Sequence, residues 1–432
     1  MKYISTRGDR SMVSFREATI KGLAPDNGLY VPVEIPRLDI DFIQSLKSID
    51  NHEIAEHIIS AFVSDDIAPA DLSRLILDIF DFEIPLIMVD EGIWSLELFH
   101  GPTLSFKDVG ARFLARCIYR FKETSELLTV LVATSGDTGS AVASGLWKMP
   151  GIRVIILFPE GGVSKFQESQ MTTLGDNISV IEVNAAFDDC QQLVKTAFAD
   201  KELNKKVTLT SANSINIARW IAQSVYYFLA YKQYDPDAEL VISVPTGNLG
   251  NLTAGVLAKK MGLPVRKFVA ATNRNRVITD YIQTGIYETK PSVTTVSNAM
   301  DVGAPSNYER LMYLYGNDLE PIRADIQSFS FSDENTIRAI RDVYRKTNYL
   351  LDPHGAVSYL ALREFLNNNK EEFGSGSGIF LETAHPKKFA ETVKKALPLI
   401  AIPQDISGNK PEKISLENDF QKLKDLIINI SS

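Results

Sequence analysis

The sequence LVISVPTGNLGNLTAGVLAKKM, residues 240–261, is the stretch that decides the fold. Its opening run, Leu240–Val244, is apolar and rich in β-branched residues, which predicts a buried strand. Apolar residues then recur at helical spacing over Leu252–Met261. The turn between them, Pro245–Asn251, has two glycines that let backbone N–H groups converge at a helix N-terminus, where an anion is favoured. This unit predicts an α/β fold, with either a phosphate site or an ordinary tight turn between strand and helix.

The same alternation of short strands and amphipathic helices extends on both sides of this stretch. Further strands are predicted at Leu127–Ala133, Arg153–Phe158, Ile178–Val183, Val207–Thr210, Phe268–Ala271 and Gly378–Leu381. Further helices are predicted at Gly139–Lys148, Ser164–Leu174, Ala186–Ala199, Ile215–Tyr231, Asn275–Thr284 and Lys387–Ala396. Strands separated by helices of this length predict right-handed crossovers and parallel sheets. The two series therefore predict two open, parallel-sheet α/β domains with a ligand cleft between them.

The residues before these series follow a different pattern. Apolar residues recur at helical spacing in the segments Asp41–Leu46, Asn51–Phe62 and Asp71–Phe80. Pro85 and the turn at 90–92 then mark a boundary. We therefore predict three parts: a mostly helical extension over 1–92, a smaller α/β domain over 93–235, and a larger one over 236–432. Part of the N-terminal region is expected to pack on the larger domain.

The composition is that of an acidic globular chain of 432 residues, with 45 Lys and Arg against 54 Asp and Glu and a net charge of −9. A chain of this charge has no overall attraction for nucleic acid or anionic membranes. Cys117 and Cys190 are too few for a disulfide framework or a Cys-rich zinc site and favour a reducing compartment. The apolar runs are far shorter than the roughly 20 residues of a membrane helix. We expect a cytoplasmic protein that binds no metal.

A second polar turn follows the predicted strand Leu127–Ala133. It contains Ser135, Gly136, Asp137, Thr138 and Gly139. Hydroxyl groups and amide donors at the start of a helix suit a carboxylate or a phosphate. The same residue types also cap helices well, so this turn alone does not separate a binding site from a cap.

A lysine lies among mostly apolar and small neighbours in the sequence LFHGPTLSFKD, residues 98–108. Burial of Lys107 would lower the pKa of its amine, which is what Schiff-base chemistry needs. The alternative is a surface lysine that lies beside Asp108 at the start of a helix.

Together these motifs resemble the threonine synthase family, whose members are fold-type II pyridoxal-phosphate (PLP) enzymes. The segment His100–Asp108 is similar to the family's lysine motif, and the turns Ser135–Gly139 and Gly247–Gly250 follow in the family's order. Further similar stretches are Ser211–Arg219, Ser297–Asp301 and Glu382–Pro386. The resemblance covers essentially the whole chain and implies a tryptophan synthase β-like fold. It also includes the helical N-terminal extension of the longer bacterial and fungal subgroup.

The resemblance implies PLP as the cofactor, bound in the larger domain, with Lys107 attaching it and moving protons at the substrate. The residues implied to hold the cofactor phosphate are Gly247, Asn248, Leu249, Gly250 and Asn251. Many family members carry aspartate where Asn251 stands, so only the backbone cradle is implied there. Thr383 would face the pyridine nitrogen, although it is also suited to a helix cap.

The reaction implied by the resemblance converts O-phospho-L-homoserine and water to L-threonine and phosphate by γ-elimination and β-addition, the last step of threonine biosynthesis. Such an enzyme is a carbon–oxygen lyase acting on phosphates, here as a monomer or homodimer. The substrate carboxylate would be received by the turn Ser135, Gly136, Asp137, Thr138 and Gly139, or these residues would line the edge of the cofactor ring. The candidate partners of the substrate phosphate are Ser211, Asn213, Asn216 and Arg219, with Lys165 as an additional one.

Three alternatives stay open at this point. A PLP-dependent phospho-lyase of the same fold would release phosphate and a 2-oxo acid. A hydroxy-amino-acid dehydratase would need no phosphate pocket, which the segment Ser211–Arg219 argues against. A PLP-binding protein without turnover would keep the cofactor and form no product.

Overall fold

Two open β-sheets form the frame of the chain in the computed structural model, which describes residues 1–123, 127–234, 239–373, 376–403 and 410–431. A separate antiparallel pair joins β1 and β2 near the N-terminus. The strands are β1 Tyr3–Ser5, β2 Tyr30–Pro32, β3 Leu86–Asp90, β4 Ile93–Glu97, β5 Leu128–Ala133, β6 Ile152–Pro159, β7 Ile178–Asn184, β8 Thr208–Ser211, β9 Leu240–Pro245, β10 Val265–Thr272, β11 Ile326–Ser330, β12 Gly378–Glu382 and β13 Ile414–Glu417.

The smaller sheet has the strand order β13-β7-β6-β5-β8, and all of its neighbouring strands are parallel. The larger sheet has the order β11-β10-β9-β12-β4-β3 and is parallel except for the antiparallel β3–β4 pair. The predicted fold class, two parallel-sheet α/β units, is therefore confirmed. The predicted strands all occur, with ends shifted by a few residues.

Helices cover and connect these sheets. They are α1 Phe15–Lys21, α2 Ile40–Ser45, α3 Asn51–Val63, α4 Pro69–Ile79, α5 Lys107–Phe121, α6 Asp137–Leu146, α7 Lys165–Thr172, α8 Phe187–Ala199, α9 Leu203–Lys206, α10 Ile217–Gln233, α11 Gly250–Lys260, α12 Val277–Thr284, α13 Tyr308–Leu314, α14 Leu319–Asp325, α15 Asp333–Thr347, α16 Pro353–Asn368, α17 Lys370–Phe373, α18 Ala390–Ala396 and α19 Phe420–Ile430. Over the described residues, no helix is both long and apolar enough to cross a membrane.

Helix α10 is the central packing element between the two sheets. It contacts α5, α11 and α3 and is buried along most of its length. A helix that is apolar on all sides belongs in a core, because no face of it is left for water. Arg219 is one of the few charged residues on this helix, and the helix holds it at the centre of the molecule.

At two places a strand belongs to a different sheet from the strands that are nearest to it along the chain. The strands β3 and β4 form a hairpin around the turn at Gly92, which has a φ of +71°, and they join the larger sheet. Strand β13, from the last part of the chain, joins the edge of the smaller sheet. The division into 1–92, 93–235 and 236–432 stays a prediction, and its boundary at 235/236 lies outside the described residues.

Candidate active site

The loops that follow five parallel strands meet at one cavity between the two sheets. These loops follow β4, β5, β8, β9 and β12, the carboxyl ends where open α/β sheets bind ligands. The cavity is lined by Phe106, Lys107, Ala133, Ser135, Asp137, Thr138, Phe187, Asn213, Ser214, Arg219, Gln223, Pro245, Gly247, Asn248, Gly250, Asn251, Ala299, Met300, Val302, His354 and Thr383. Most of the site residues expected from the sequence are therefore brought together.

Lys107 is the first residue of α5, and its side chain is 12% exposed. Burial lowers the pKa of Lys107 to about 8, with the charges of Arg219 and Lys388 acting in the same direction and Asp137 opposing them. The Lys107 Nζ lies 4.0 Å from Oδ2 of Asp137. A lysine with this pKa is partly free of its proton near neutral pH, as a nucleophile or a base requires.

Asp137 begins helix α6 and is held by two donors. Lys388 Nζ lies 2.7 Å from its Oδ1, and Gln167 Nε2 donates to the same oxygen at 2.8 Å. Burial would raise the pKa of Asp137, but the positive charges of Lys388 and Lys107 hold it well below its usual range. Its carboxylate therefore stays charged inside the cavity.

The glycine turn between β9 and α11 has the form of an anion cradle. Leu249 adopts a left-handed conformation with a φ of +61° and offers no side-chain acceptor to the first N–H groups of α11. A Cβ on Gly247 would lie 2.8 Å from both Cα and O of Met300, so no larger residue fits there. Asn251 accepts a hydrogen bond from Thr246 Oγ1 and donates one to Pro245 O. These two bonds join the end of the turn to its beginning and stabilise its shape.

Arg219 is fully buried and lines the cavity, and it has no acidic partner within the described part of the chain. Its Nη1 donates to Ala212 O at 2.7 Å, while Nε and Nη2 have no hydrogen-bond partner among the residues that the structure describes. Burial lowers the pKa of Arg219 to about 10, so the group remains charged near neutral pH. A buried charge with two unused donors is costly unless an anion meets it.

Ser214 lies between Arg219 and the glycine turn along the cavity wall. Its hydroxyl accepts hydrogen bonds from Asn248 Nδ2 at 2.8 Å and from Asn307 Nδ2 at 3.2 Å. Asn213 donates to Ala133 O, which fixes the start of this segment against β5. The segment after β8 thus offers hydroxyl and amide groups beside the buried arginine.

His354 also lines the cavity and was not expected from the sequence. Its Nδ1 contacts Asp352 Oδ1 at 2.5 Å, and its Nε2 accepts the N–H of Ala299 at 3.2 Å. These two contacts fix the orientation of the imidazole ring at the cavity wall. The signal available in the sequence was Asp352 followed by Pro353, a pattern typical of a helix start, which would have placed the histidine at the beginning of α16.

Five of the expected site residues do not line the cavity. They are Gly136, Gly139, Ser211, Asn216 and Leu249. The reason is clearest for Asn216, because α10 begins at Ile217 and not at the predicted residue 215. Asn216 is therefore the N-cap, and its amide donates to Thr19 O and Ser211 O instead of sharing a helix face with Arg219.

Ser211 and Lys165 line neighbouring spaces. Ser211 faces a cavity of about 530 Å³ that shares Ala133, Asn213 and Asn248 with the site. Lys165, at the start of α7, lines a groove on the other side of Ser135.

Gly136 has a φ of +124° and packs against Gln167, so it shapes the turn before α6 instead of lining the cavity.

These features fit a pyridoxal-phosphate group. The cavity beside Gly247 and Gly250, at the start of α11, suits a phosphate, because backbone N–H groups and the helix dipole both favour an anion. Lys107 supplies a buried amine, and Thr383 is a nearly buried hydroxyl residue on the same cavity. The backbone around Thr383 is fixed to the lysine segment, since Phe106 N donates to Thr383 O at 2.9 Å.

Family models agree with this site. Residues 87–381 match the model described as pyridoxal-phosphate dependent enzyme, and residues 2–80 match the model described as threonine synthase N terminus. Together these two matches span most of the N-terminal extension and every residue that lines the cavity except Thr383.

Individual relatives match over almost their full lengths. The threonine synthase of Buchnera aphidicola subsp. Schizaphis graminum is 41% identical, over 99% of this chain and 100% of its own. The crystal structure of threonine synthase from Escherichia coli superposes with a TM-score of 0.92 at 38% identity, covering 99% of this chain and 100% of that one. The PLP-bound threonine synthase from Brucella melitensis gives 0.89 at 35% identity, covering 100% and 99%. Because these likenesses run from end to end, the chain belongs to the threonine synthase family of pyridoxal-phosphate-dependent enzymes.

Proposed function

We propose that this protein converts O-phospho-L-homoserine and water to L-threonine and phosphate in the cytoplasm. The observation that carries the substrate assignment is Arg219, a buried arginine with two unused donors in the same cavity as Lys107. The glycine turn at Gly247 provides for the cofactor phosphate, so the arginine is available for a second one. Two anion sites in one cavity fit a phosphorylated amino acid substrate.

The residues that would hold the cofactor all follow strands of the larger sheet, namely β4, β9 and β12. Gly247, Asn248, Leu249, Gly250 and Asn251 cradle its phosphate at the start of α11, where the N–H groups of the first turn are oriented toward an anion. Thr383, which lines the same cavity, would offer a neutral hydroxyl to the pyridine nitrogen. PLP, when bound to Lys107, supplies an electron sink for the bonds of the substrate Cα.

The substrate is oriented at both ends by the chain's own groups. Ser135 and Thr138, at the start of α6, receive the carboxylate. Asn213, Ser214 and Arg219 bind the phosphate with hydroxyl, amide and guanidinium donors. Held at two ends, the substrate presents its Cα and Cβ hydrogens to the middle of the cavity.

Lys107 moves the protons in this arrangement. Its amine would lie beside the substrate Cα, and with a pKa of about 8 it can take up a proton there and return it at neutral pH. The surrounding burial limits access of water to this amine, so that the proton it holds is delivered to the substrate.

The proposal is tested by incubating the PLP-loaded protein with O-phospho-L-homoserine and following phosphate and organic product together by NMR. We expect phosphate and L-threonine in equal amounts. Phosphate accompanied by 2-oxobutyrate would replace this proposal with the phospho-lyase. Absence of phosphate release would leave a PLP enzyme of the same fold and exclude the substrate.

Replacement of Gly247 by alanine is expected to weaken PLP binding by about tenfold or more, because the added Cβ meets backbone atoms of Met300 and not a side chain that can move. The dissociation constant for PLP is measured by titrating cofactor-free protein and following absorbance. The matched control is Gly145→Ala in α6, where the nearest atoms to a Cβ lie 3.5 Å away. Equal PLP affinity in the two variants would contradict the cradle assigned to Gly247.

A further inference from the structure

Lys388 occupies a position that the proposed function does not use. It lies in the 3-10 turn Pro386–Phe389 that follows β12, and its side chain is fully buried. Its Nζ contacts Asp137 Oδ1 at 2.7 Å and donates to Thr103 O at 2.8 Å. It thus connects the larger sheet, the smaller sheet and the segment that leads into Lys107.

Asp137 has an ammonium group on each side. Lys388 contacts one carboxylate oxygen at 2.7 Å, and Lys107 lies 4.0 Å from the other. The shorter contact is a hydrogen-bonded ion pair, whereas the longer one is beyond hydrogen-bond distance. The Asp137 carboxylate is therefore paired with Lys388 and not with Lys107, and Gln167 Nε2 donates a further hydrogen bond to it at 2.8 Å.

We propose that Lys388 is a positioning residue that holds the Asp137 carboxylate away from Lys107 and so keeps the Lys107 amine available without its proton. The inference rests on the proposed role of Lys107 as the residue that attaches PLP and moves protons. Without Lys388, the buried Asp137 would have Lys107 as its nearest ammonium partner, and the two would form a direct pair.

The charged groups around Lys107 support this direction. Asp137 of α6 favours the protonated amine, whereas Arg219 of α10 and Lys388 disfavour it, and burial disfavours it most. Asp137 also faces His354 at the start of α16. Removal of Lys388 takes away a positive charge that repels protonated Lys107 and frees the Asp137 carboxylate that attracts it. Both effects favour the protonated form of Lys107.

The test measures the protonation of Lys107 in the full-length, cofactor-free protein. Lys107 is labelled by formaldehyde and cyanoborohydride across a pH series, and the modified peptide is quantified by mass spectrometry. Because no turnover is involved, the result is separate from the test of the reaction with O-phospho-L-homoserine.

Lys388→Met is expected to raise the pH midpoint of Lys107 labelling by about one unit or more, because an opposite charge in direct contact shifts a pKa by that order. Lys388→Arg is expected to restore the wild-type midpoint. Asp137→Asn is expected to lower the midpoint, since the attractive charge is then gone. The control is Lys387→Met. In the wild type the Lys387 Nζ lies 5.4 Å from the Phe166 ring centroid, and its loss is expected to leave the midpoint of Lys107 labelling unchanged.

An unchanged midpoint in folded Lys388→Met would overturn the proposal, as would shifts of the same sign in Lys388→Met and Asp137→Asn. Thermal unfolding of each variant shows whether it folds. If Lys388→Met does not fold, Asp137→Asn decides, because a midpoint that fails to fall would show that the carboxylate does not act on Lys107.

Discussion

Replacement of Lys107 by alanine is expected to abolish covalent attachment of PLP and to reduce formation of threonine by on the order of 10³-fold or more. The variant loses the buried amine that both attaches the cofactor and moves the substrate proton, and no second lysine is among the described residues that line the cavity. The measurement is the absorption band of lysine-bound PLP, followed by turnover of O-phospho-L-homoserine.

The matched control for this variant is Lys122→Ala, at the C-terminal end of the same helix α5. The Lys122 side chain donates to Glu123 O at 3.5 Å and does not line the cavity. It is expected to leave both the absorption band and turnover unchanged. Persistence of either property in Lys107→Ala would remove Lys107 from its proposed role.

Replacement of Arg219 by methionine is expected to lower kcat/KM for O-phospho-L-homoserine by about 10²- to 10³-fold, because a buried charge that meets an anion contributes 2–5 kcal/mol. The same change is expected to leave the cofactor-free protein at least as stable as the wild type. The reason is that a buried guanidinium with two unused donors carries a desolvation cost that methionine removes. Activity and stability should therefore change in opposite directions.

Arg112→Met provides the comparison, since it removes an arginine that does have acidic partners. Arg112 on α5 contacts Asp81 at 2.5 Å and lies outside the cavity. Its loss is expected to lower the free energy of unfolding by on the order of 1 kcal/mol and to leave kcat/KM near wild type. Kinetics together with denaturant unfolding check both variants. An unchanged kcat/KM in Arg219→Met would exclude Arg219 as the phosphate ligand.

The parts of the fold that could be predicted are those with a strong local pattern. The strands β5 and β9 are apolar runs that end in glycine turns, so their type and the site at their carboxyl ends follow from sequence. Helix α15 lies outside the predicted elements, although Thr336, Ala339, Ile340 and Val343 form one buried face at helical spacing. Helix α16 is buried on more than one side, so its sequence lacks a single apolar face.

The parts of the site that could not be predicted depend on strand order. Strand β12 lies between β9 and β4, and this order places the segment after Glu382 against the segment before Lys107. The contact of Lys388 with Asp137 also joins the two sheets, between residues that are far apart in sequence. Local periodicity carries no information about which strands become neighbours, so neither Lys388 nor His354 could be placed from the sequence.

The pairing of β4 with β12 has a consequence for the order in which the molecule assembles. Ile93 pairs with Gly378, so the centre of the larger sheet cannot close until nearly the whole chain has been synthesised. The strands β5 to β8 lie within a continuous stretch and can pair earlier, on the ribosome. The cavity, which needs both sheets, is therefore completed late, and a nascent chain that ends before Thr383 lacks part of the cavity lining.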